Sequence, residues 1–287
     1  MKIFITGVTG YLGSNIARAL IQHGHEITSI KRKSSSLESI RDISNKINFY
    51  DLESNELGLI FDKNAPFDGV VHTATCYGRE QEFSKDIYLT NTLFPLEILE
   101  KSIYAGSKFF INTDTVLNKN INTYAISKKH FCEIAELLVE NKKIRFINIL
   151  LEHFYGPNEN KPKFVSQLIK KCIKNEQIIN LTLGEQERDF IYIDDVVTAY
   201  LSIINNFKKF NSGYNNIDLG SGKTITIKKL VKIIKALTSS NSKLVFGAIA
   251  YRHNESMYSK ADIKKLLKLG WYPKTNIEEG LKRVIDS

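Results

Sequence analysis

Apolar and polar positions alternate with two different periods along the first half of the chain. The run KIFIT at 2–6 is rich in β-branched and aromatic residues and ends at a glycine, which is typical of a buried strand. Over 14–24 the apolar residues recur at helical spacing and again stop at a glycine, and 25–32 returns to a strand pattern. A strand, a helix and a second strand in this order predict a βαβ unit with a parallel sheet.

The same alternation continues downstream. It predicts further strands at 69–75, 108–115 and 144–157, separated by helices at 91–106 and 127–142. Beyond Pro157 the pattern is looser and predicts a strand near 178–183 and helices near 164–175, 226–238 and, as the last of the chain, 261–269.

Charge and composition change this picture little. The chain has 287 residues and a net charge of +9, but its lysines are scattered among Ile, Leu and Val at helical spacing. We interpret them mostly as solvated helix faces, whose excess charge also helps to attract anionic ligands such as nucleotides. We find neither a membrane span nor a signal-peptide core. The three cysteines are far apart, so we expect no disulfide framework and no zinc site, and a reducing cytoplasm fits.

Three glycines follow the first predicted strand directly. The stretch TGVTGYLGS places Gly7, Gly10 and Gly13 just before the first helix. Gly7 permits a tight turn, Gly10 lets the backbone approach a diphosphate, and Gly13 lets helix and strand pack closely. The helix N-terminus offers N–H groups and a positive dipole end to phosphates. In this βαβ context the pattern predicts dinucleotide binding.

The fold class is therefore predicted to be α/β. We expect a Rossmann-type doubly wound parallel sheet with a smaller, interleaved C-terminal α/β substrate domain. The dinucleotide-binding domain is expected at 1–157, with about 188–218 also belonging to it, and the substrate domain at 158–187 and 219–287.

The end of the second predicted strand bears on the choice of cofactor. Sites for NAD place an acidic residue there, on the ribose 2′-hydroxyl. This chain has SIKRKSSS, with Lys31 and Arg32 but no carboxylate, so the sequence favours NADP(H) over NAD(H). The alternative is that these cations simply face water. Asp51, after the third strand, is a candidate for contact with adenine or an ordinary turn carboxylate.

A tyrosine and a lysine stand four residues apart in NTYAISKK. Many helices contain such a pair by chance, but Tyr124 and Lys128 lie well downstream of a glycine loop, which is the pattern of the short-chain dehydrogenases/reductases. The chain resembles their extended branch, which acts on nucleotide sugars, over nearly its whole length. The landmarks that match in order are HTAT (72–75), Asn91 at a helix start, NTDT (112–115), YGP (155–157), RDFIYIDD (188–195) and LGW (269–271).

The resemblance implies an enzyme whose catalytic residues are Tyr124, Lys128 and Thr113. Tyr124 would exchange a proton with the substrate oxygen, Lys128 would also bind the nicotinamide ribose, and Thr113 would hydrogen-bond the same oxygen. Thr115 is a possible substitute for Thr113, and an ordinary strand threonine is the alternative. The charge of Lys128, one helical turn away, is expected to lower the pKa of Tyr124. The cofactor-binding residues that the resemblance implies are Gly7, Thr9, Gly10, Tyr11, Leu12, Gly13, Lys31, Arg32, Asp51, Leu52, Thr73, Ala74, Thr75, Asn91 and Lys128.

Departures from the family pattern narrow the reaction. The related 4,6-dehydratases follow the threonine with Asp and Glu, whereas Asp114 is followed here by Thr115, which makes dehydration doubtful. Reductases that also epimerise C3 and C5 need a cysteine at the position of Thr115 and a downstream histidine. No histidine lies between His153 and His253. The sequence therefore favours a simple ketoreductase that consumes NADPH.

Closer similarity points to the branch of the CDP-paratose and CDP-abequose synthases. It is carried by TATCYGR (73–79), LEHFYGP (151–157), GEQERDF (184–190) and FGAIAYRHNESMYSKAD (246–262). That branch reduces the 4-keto group of a CDP-linked dideoxyhexose for O-antigen sugars of lipopolysaccharide. The similarity implies Arg188 and Arg252 at the diphosphate, which guanidinium groups suit, and Glu255 at the nucleotide ribose. The candidates for contact with the sugar are Tyr77, Arg79 and His153, each of which is equally well explained as a structural residue.

Two other functions stay open at this point. One is an epimerase or reductase for a GDP-, dTDP- or UDP-linked sugar. The other is a non-enzymatic NADP-sensing module, which would not need the Tyr–Lys pair. We expect a nucleotide-diphosphate sugar as partner, with no nucleic acid, membrane or metal. By analogy with relatives, we also expect a homodimer that pairs through the helices predicted at 91–106 and 127–142.

Overall fold

Strands and helices alternate through most of the computed structural model, which describes residues 1–53, 57–64, 66–159 and 163–287. The strands are β1 (Lys2–Thr6), β2 (Glu26–Lys31), β3 (Ile47–Asp51), β4 (Gly69–His72), β5 (Phe109–Thr115), β6 (Arg145–Leu151), β7 (His153–Tyr155), β8 (Ile178–Leu181), β9 (Glu187–Tyr192), β10 (Gly213–Leu219), β11 (Thr224–Thr226) and β12 (Lys243–Phe246). The helices are α1 (Tyr11–Gln22), α2 (Leu57–Asn64), α3 (Ser84–Tyr88), α4 (Phe94–Tyr104), α5 (Thr123–Val139), α6 (Phe164–Ile173), α7 (Ile193–Asn205), α8 (Ile227–Leu237), α9 (Lys264–Lys268) and α10 (Ile277–Ile285). None of the helices in these ranges has the length and apolar character needed to cross a membrane.

A seven-stranded sheet carries the N-terminal half. Its strand order is β10-β6-β5-β4-β1-β2-β3, and β1 pairs in parallel with both β2 and β4. The carboxyl ends of these strands therefore meet along one edge, where ligands bind in open α/β sheets. The predicted Rossmann-type doubly wound α/β fold is confirmed.

Aromatic side chains fill much of the core beside this sheet. The rings of Phe4, Phe61 and Phe67 lie 5.2–5.4 Å apart between centroids, and Phe110 stacks on Phe146 at 5.4 Å. All five side chains are buried. Each contributes on the order of 1.5–3 kcal/mol through burial alone, which anchors the strands that end at the candidate site.

The chain divides into two compact units. The first comprises 1–150 and 200–217, and the second comprises 151–199 and 218–287. The segment 188–199, which the sequence analysis grouped with the dinucleotide-binding part, lies in the second unit. That unit holds a three-stranded sheet, ordered β11-β9-β7, and a two-stranded sheet of β12 and β8. Which unit binds which ligand stays a prediction.

The structure departs from the sequence prediction at several elements, including the strand after α5 and the C-terminal end. The strand predicted at 144–157 is interrupted at Glu152, and its two parts, β6 and β7, belong to different sheets. The chain also ends in a helix, α10, that was not predicted. Its signals were present, because the side chain of Asn276 caps it by accepting the Glu279 N–H at 2.9 Å.

Candidate active site

The glycine loop packs tightly against the end of β4. Gly7 has φ +72°, and a Cβ placed on it would lie 2.6 Å from the backbone nitrogen of Ala74. A Cβ on Gly13 would lie 2.2 Å from the carbonyl oxygen of Gly7. Gly10 is exposed, and its N–H donates to the Gly7 carbonyl at 2.9 Å. Side chains are thus excluded at Gly7 and Gly13, and the bare backbone of the loop fits a dinucleotide diphosphate.

Neighbouring hydroxyl groups hold the loop in place. The Thr73 hydroxyl donates to the carbonyl of Thr6 at 2.7 Å, and the Ser39 hydroxyl donates to the carbonyl of Thr9 at 2.9 Å. Thr73 and Thr9, both predicted to contact the cofactor, therefore also shape the loop.

The end of β2 is less cationic than the sequence suggested. The ammonium of Lys31 lies 2.6 Å from the carboxylate of Asp51, its neighbour in register on β3, and the Lys33 N–H donates to Glu53 at 3.1 Å. The expectation that no carboxylate reaches this strand end is wrong, because the acidic groups come from the adjacent strand and the turn after it. Arg32 is exposed.

The three predicted catalytic residues meet where β5 ends and α5 begins. The side chain of Asn122 caps α5 by accepting the Ala125 N–H at 2.8 Å, which fixes Tyr124 in the first turn. The ammonium of Lys128 donates to the backbone carbonyl of Thr113 at 2.7 Å and lies 5.9 Å from the ring centre of Tyr124. Tyr124 and Lys128 are both buried.

Burial dominates the electrostatics of this group. It raises the pKa of Tyr124, a shift that Tyr77 reinforces and that a hydrogen bond with Thr115 and the charge of Arg79 oppose. The expected lowering of the Tyr124 pKa by Lys128 is therefore wrong for this structure. Burial also lowers the pKa of Lys128, whose ammonium is directed to a carbonyl group. The direction of this shift favours the protonated phenol, the form that can act as an acid.

An aromatic and a cationic side chain lie beside Tyr124. The ring of Tyr77 lies 5.1 Å from that of Tyr124, and the guanidinium of Arg79 lies 4.9 Å above the Tyr77 ring. Asn91, on a π-helix at Leu89–Leu93, holds this loop: its side chain accepts the Cys76 N–H and donates to the Cys76 carbonyl, both at 2.8 Å. The structure thus brings Tyr77 and Arg79 close to Tyr124, and Asn91 holds the loop that carries them through its bonds to Cys76.

Asp114 is saturated by donors. Both of its oxygens accept from the ammonium of Lys119, at 2.7 and 2.8 Å, and it also accepts from the Thr115 N–H at 2.7 Å and from the Asn148 amide at 3.3 Å. Both oxygens of this buried carboxylate are therefore engaged by protein groups.

Sequence reasoning missed a partner of Thr113. The hydroxyls of Thr113 and Tyr200 lie 2.7 Å apart, and Tyr200, on α7, is fully buried. The two residues are 87 positions apart in the chain, so no local spacing could have paired them. Lys119 was missed as well, although its position five residues after Asp114 was a usable signal.

The residues predicted to bind the nucleotide diphosphate lie in the second unit. The guanidinium of Arg188 is 2.6 Å from the Glu255 carboxylate and also donates to the backbone carbonyls of Glu187 and Ser256. Arg252 is exposed, and its carbonyl accepts the Glu255 N–H at 3.1 Å. The structure therefore brings Arg188 to Glu255, which holds it, whereas Arg252 contacts Glu255 through its backbone.

His153 has a carboxylate partner. Its Nδ1 lies 3.2 Å from Glu152, whose other oxygen accepts the Ser259 hydroxyl at 2.6 Å. The imidazole ring is half-buried, 5.6 Å from the ring of Phe190. Glu152 thus orients His153, and both the structural and the sugar-binding interpretations of this histidine remain predictions.

Known proteins resemble this chain over its whole length. It is 37% identical to the CDP-abequose synthase of Salmonella muenchen, covering 99% of this chain and 97% of that one, and 33% identical to that of Salmonella typhimurium, covering 98% of both. The structure of a UDP-glucose 4-epimerase from Thermotoga maritima with UDP-glucose superposes with a TM-score of 0.85 at 25% identity, covering 100% of this chain and 98% of that one.

A family model agrees with these similarities. The model of the NAD dependent epimerase/dehydratase family matches residues 3–217, which includes the glycine loop and the tyrosine–lysine pair. This match agrees with the Rossmann-type sheet and with the similarity to the synthases. The chain therefore belongs to the NAD dependent epimerase/dehydratase family, the extended branch of the short-chain dehydrogenases/reductases.

Proposed function

We propose that this enzyme uses NADPH to reduce the C4 keto group of a CDP-linked deoxy-4-keto-hexose. The observation that carries the proposal is the buried position of Tyr124 beside Lys128 and Thr113, where burial raises its pKa. A protonated tyrosine is the form that a reduction consumes. The choice of CDP rests on the similarity to the two CDP-abequose synthases. The product would be an activated dideoxyhexose for the O-antigen of lipopolysaccharide, made in a reducing cytoplasm, which the three free cysteines fit.

The residues present fit a nicotinamide dinucleotide. The diphosphate is assigned to the backbone of Gly10 and to the N-terminus of α1, because Gly10 is exposed without a side chain and the helix offers its N–H groups there. The 2′-phosphate of NADPH is assigned to Arg32, with Lys31 shared between it and Asp51. When bound, the cofactor supplies the hydride that C4 of the sugar receives.

The protein's own side chains bind the carbonyl oxygen and supply the proton. Thr113 and Tyr124 hydrogen-bond the C4 carbonyl oxygen and so stabilise the charge that develops on it. Tyr124 then gives its proton to that oxygen. Lys128 fixes the backbone of Thr113 and provides a positive charge near the phenolate that remains.

Substrate binding in the second unit is assigned to the residues at Arg188. The diphosphate would take the guanidinium groups of Arg188 and Arg252, and the nucleotide ribose would take Glu255. Because Glu255 already neutralises Arg188, part of this ion pair must be exchanged when the diphosphate binds. His153 is assigned to the hexose.

Reduction without dehydration is supported by Asp114. Its oxygens are engaged by Lys119, Thr115 and Asn148, and the position after it holds Thr115 where the dehydratases have a glutamate. A ketoreductase needs no second acid, because Tyr124 alone supplies the proton that the product carries.

Tyr124→Phe tests the proposal directly. With a CDP-linked 3,6-dideoxy-4-keto-hexose, we expect NADPH oxidation by the wild type and a loss of about 100-fold or more in kcat for the variant, since the general acid is gone. Tyr272→Phe, at an exposed position of the second unit, is the matched control and should keep full activity. Near-wild-type turnover by Tyr124→Phe would contradict the mechanism. A preference for NADH, or for UDP-, GDP- or dTDP-linked substrates in the same assay, would overturn the assigned cofactor or nucleotide.

A further inference from the structure

Tyr200 is placed behind the predicted catalytic threonine. Its side chain is fully buried on α7, and its hydroxyl lies 2.7 Å from the hydroxyl of Thr113. At the other end of Thr113, Lys128 holds the backbone carbonyl at 2.7 Å. The hydroxyl and the backbone carbonyl of Thr113 are therefore both held, which restricts the directions in which its hydroxyl proton can point.

Proton counting decides the direction of the bond between the two hydroxyls. A phenol has one proton to donate, and a buried donor left without an acceptor costs about 1–3 kcal/mol. Within the described part of the chain, Thr113 is the hydrogen-bond partner found for the Tyr200 hydroxyl. If Thr113 donated, the phenol proton of Tyr200 would remain buried without an acceptor. If Tyr200 donates, its proton is satisfied and the proton of Thr113 is released for another acceptor.

Burial keeps that proton on Tyr200. The pKa of Tyr200 is raised by desolvation, and the hydrogen bond with Thr113 opposes the shift only in part. Tyr200 is therefore a neutral phenol, and thus a donor, over the working pH range.

We propose that Tyr200 is a positioning residue that donates its hydroxyl proton to Thr113 and thereby makes Thr113 a hydrogen-bond donor to the C4 oxygen of the substrate. The inference rests on the proposed ketoreductase function. A carbonyl oxygen has two lone pairs and no proton, so it can accept from both Tyr124 and Thr113. Once Tyr124 has given its proton it becomes an acceptor, whereas Thr113, which already accepts from Tyr200, keeps its own proton directed to the C4 oxygen. Tyr200 thus keeps Thr113 in the role of donor during the reaction.

Tyr200→Phe removes the oxygen and keeps the ring. We expect kcat to fall about 10-fold or more, with an unchanged KM for NADPH, because only the bond to the reacting oxygen is weakened. The substitution is repeated in a Thr113→Val background, where Tyr200 has no hydroxyl to orient and should cost less than about 2-fold. Tyr155→Phe, which removes a buried hydroxyl from the second unit, is the matched control for burial and should leave kcat unchanged.

Equal losses in the two backgrounds, or no loss in the wild-type background, would overturn the proposal. A neutron structure of the unaltered protein tests it without any variant: a deuteron on Tyr200 that points to Thr113 is expected, and a deuteron on Thr113 that points to Tyr200 is the contrary result. If the wild type reduces no 4-keto sugar nucleotide, the proposed function fails. If the wild type is active but Tyr200→Phe leaves kcat unchanged, only this inference is refuted.

Discussion

The surroundings of Tyr124 shift its pKa in the direction opposite to the one that its spacing from Lys128 suggested. Its spacing from Lys128 suggested a phenol made more acidic by a neighbouring charge. In the folded chain, burial outweighs that charge and raises the pKa, while the ammonium is directed to the carbonyl of Thr113. The shift favours the acid form of Tyr124, which is the form that the proposed reduction would consume.

His72 leads to a prediction about stability in acid. It is fully buried at the end of β4, its Nδ1 lies 2.8 Å from the Thr6 hydroxyl, and burial with the nearby charge of Lys128 lowers its pKa to about 3. The unfolded chain takes up a proton on this residue below about pH 6.5, whereas the folded chain does so only near pH 3. The free energy of unfolding should therefore fall by about 1.4 kcal/mol per pH unit as the pH drops through this window.

The measurement compares urea unfolding of the wild type and His72→Asn between pH 7 and pH 4. The variant has a lower stability at neutral pH but lacks this titration, so the difference between the two proteins should shrink as the pH falls. His253→Asn, at an exposed position, is the control and should follow the wild-type course. A difference that stays constant with pH would show that His72 is not buried as a neutral ring.

At the scale of elements, local patterns predicted most of the fold. Strands β1, β2, β4 and β5 and helices α4 and α5 were predicted because each has a clear period and a glycine or polar boundary. The division between β6 and β7 was not, because an apolar run does not show that its two ends enter different sheets. The same reason applies to Asp51 and Glu53, which reach the end of β2 only through the pairing of β3 with β2.

The contact between α1 and the glycine loop gives a prediction at this scale. Gly13→Ala would place a Cβ 2.2 Å from the carbonyl oxygen of Gly7, and only a shift of the backbone could relieve the clash. We expect a loss of about 2 kcal/mol or more in the free energy of unfolding and a loss of dinucleotide binding, measured by urea denaturation and calorimetric titration with NADPH. Gly58→Ala is the control, because a Cβ at this position of helix α2 would lie 3.5 Å from its nearest neighbour. This substitution should be neutral or slightly stabilising. Wild-type affinity in Gly13→Ala would contradict the assigned loop.

At the scale of the whole molecule, the candidate site combines residues that are distant in sequence. The motif residues Thr113, Tyr124 and Lys128 could be predicted because each lies in a short, ordered pattern. Tyr200 could not, because its contact with Thr113 depends on how α7 packs beside β5. Long-range contacts of this kind leave no periodic pattern in the sequence and become visible only in the folded chain.

The same scale holds the prediction of a homodimer. Residues on or next to α4 and α5 leave apolar surface exposed: Leu93 is 52% exposed, Leu137 72% and Tyr104 88%. Apolar residues collected on two neighbouring helices are typical of a surface that a second copy covers, and a two-fold axis would use each residue twice.

Light scattering should therefore give twice the chain mass of 32.8 kDa for the wild type. Leu137→Glu with Leu93→Glu should shift the protein to the monomer mass without unfolding it, because both side chains are exposed in the single chain. Leu267→Glu, an equally apolar and exposed site of the second unit, should stay dimeric. A monomeric wild type, or a double variant that keeps the dimer mass, would place the contact elsewhere or rule it out.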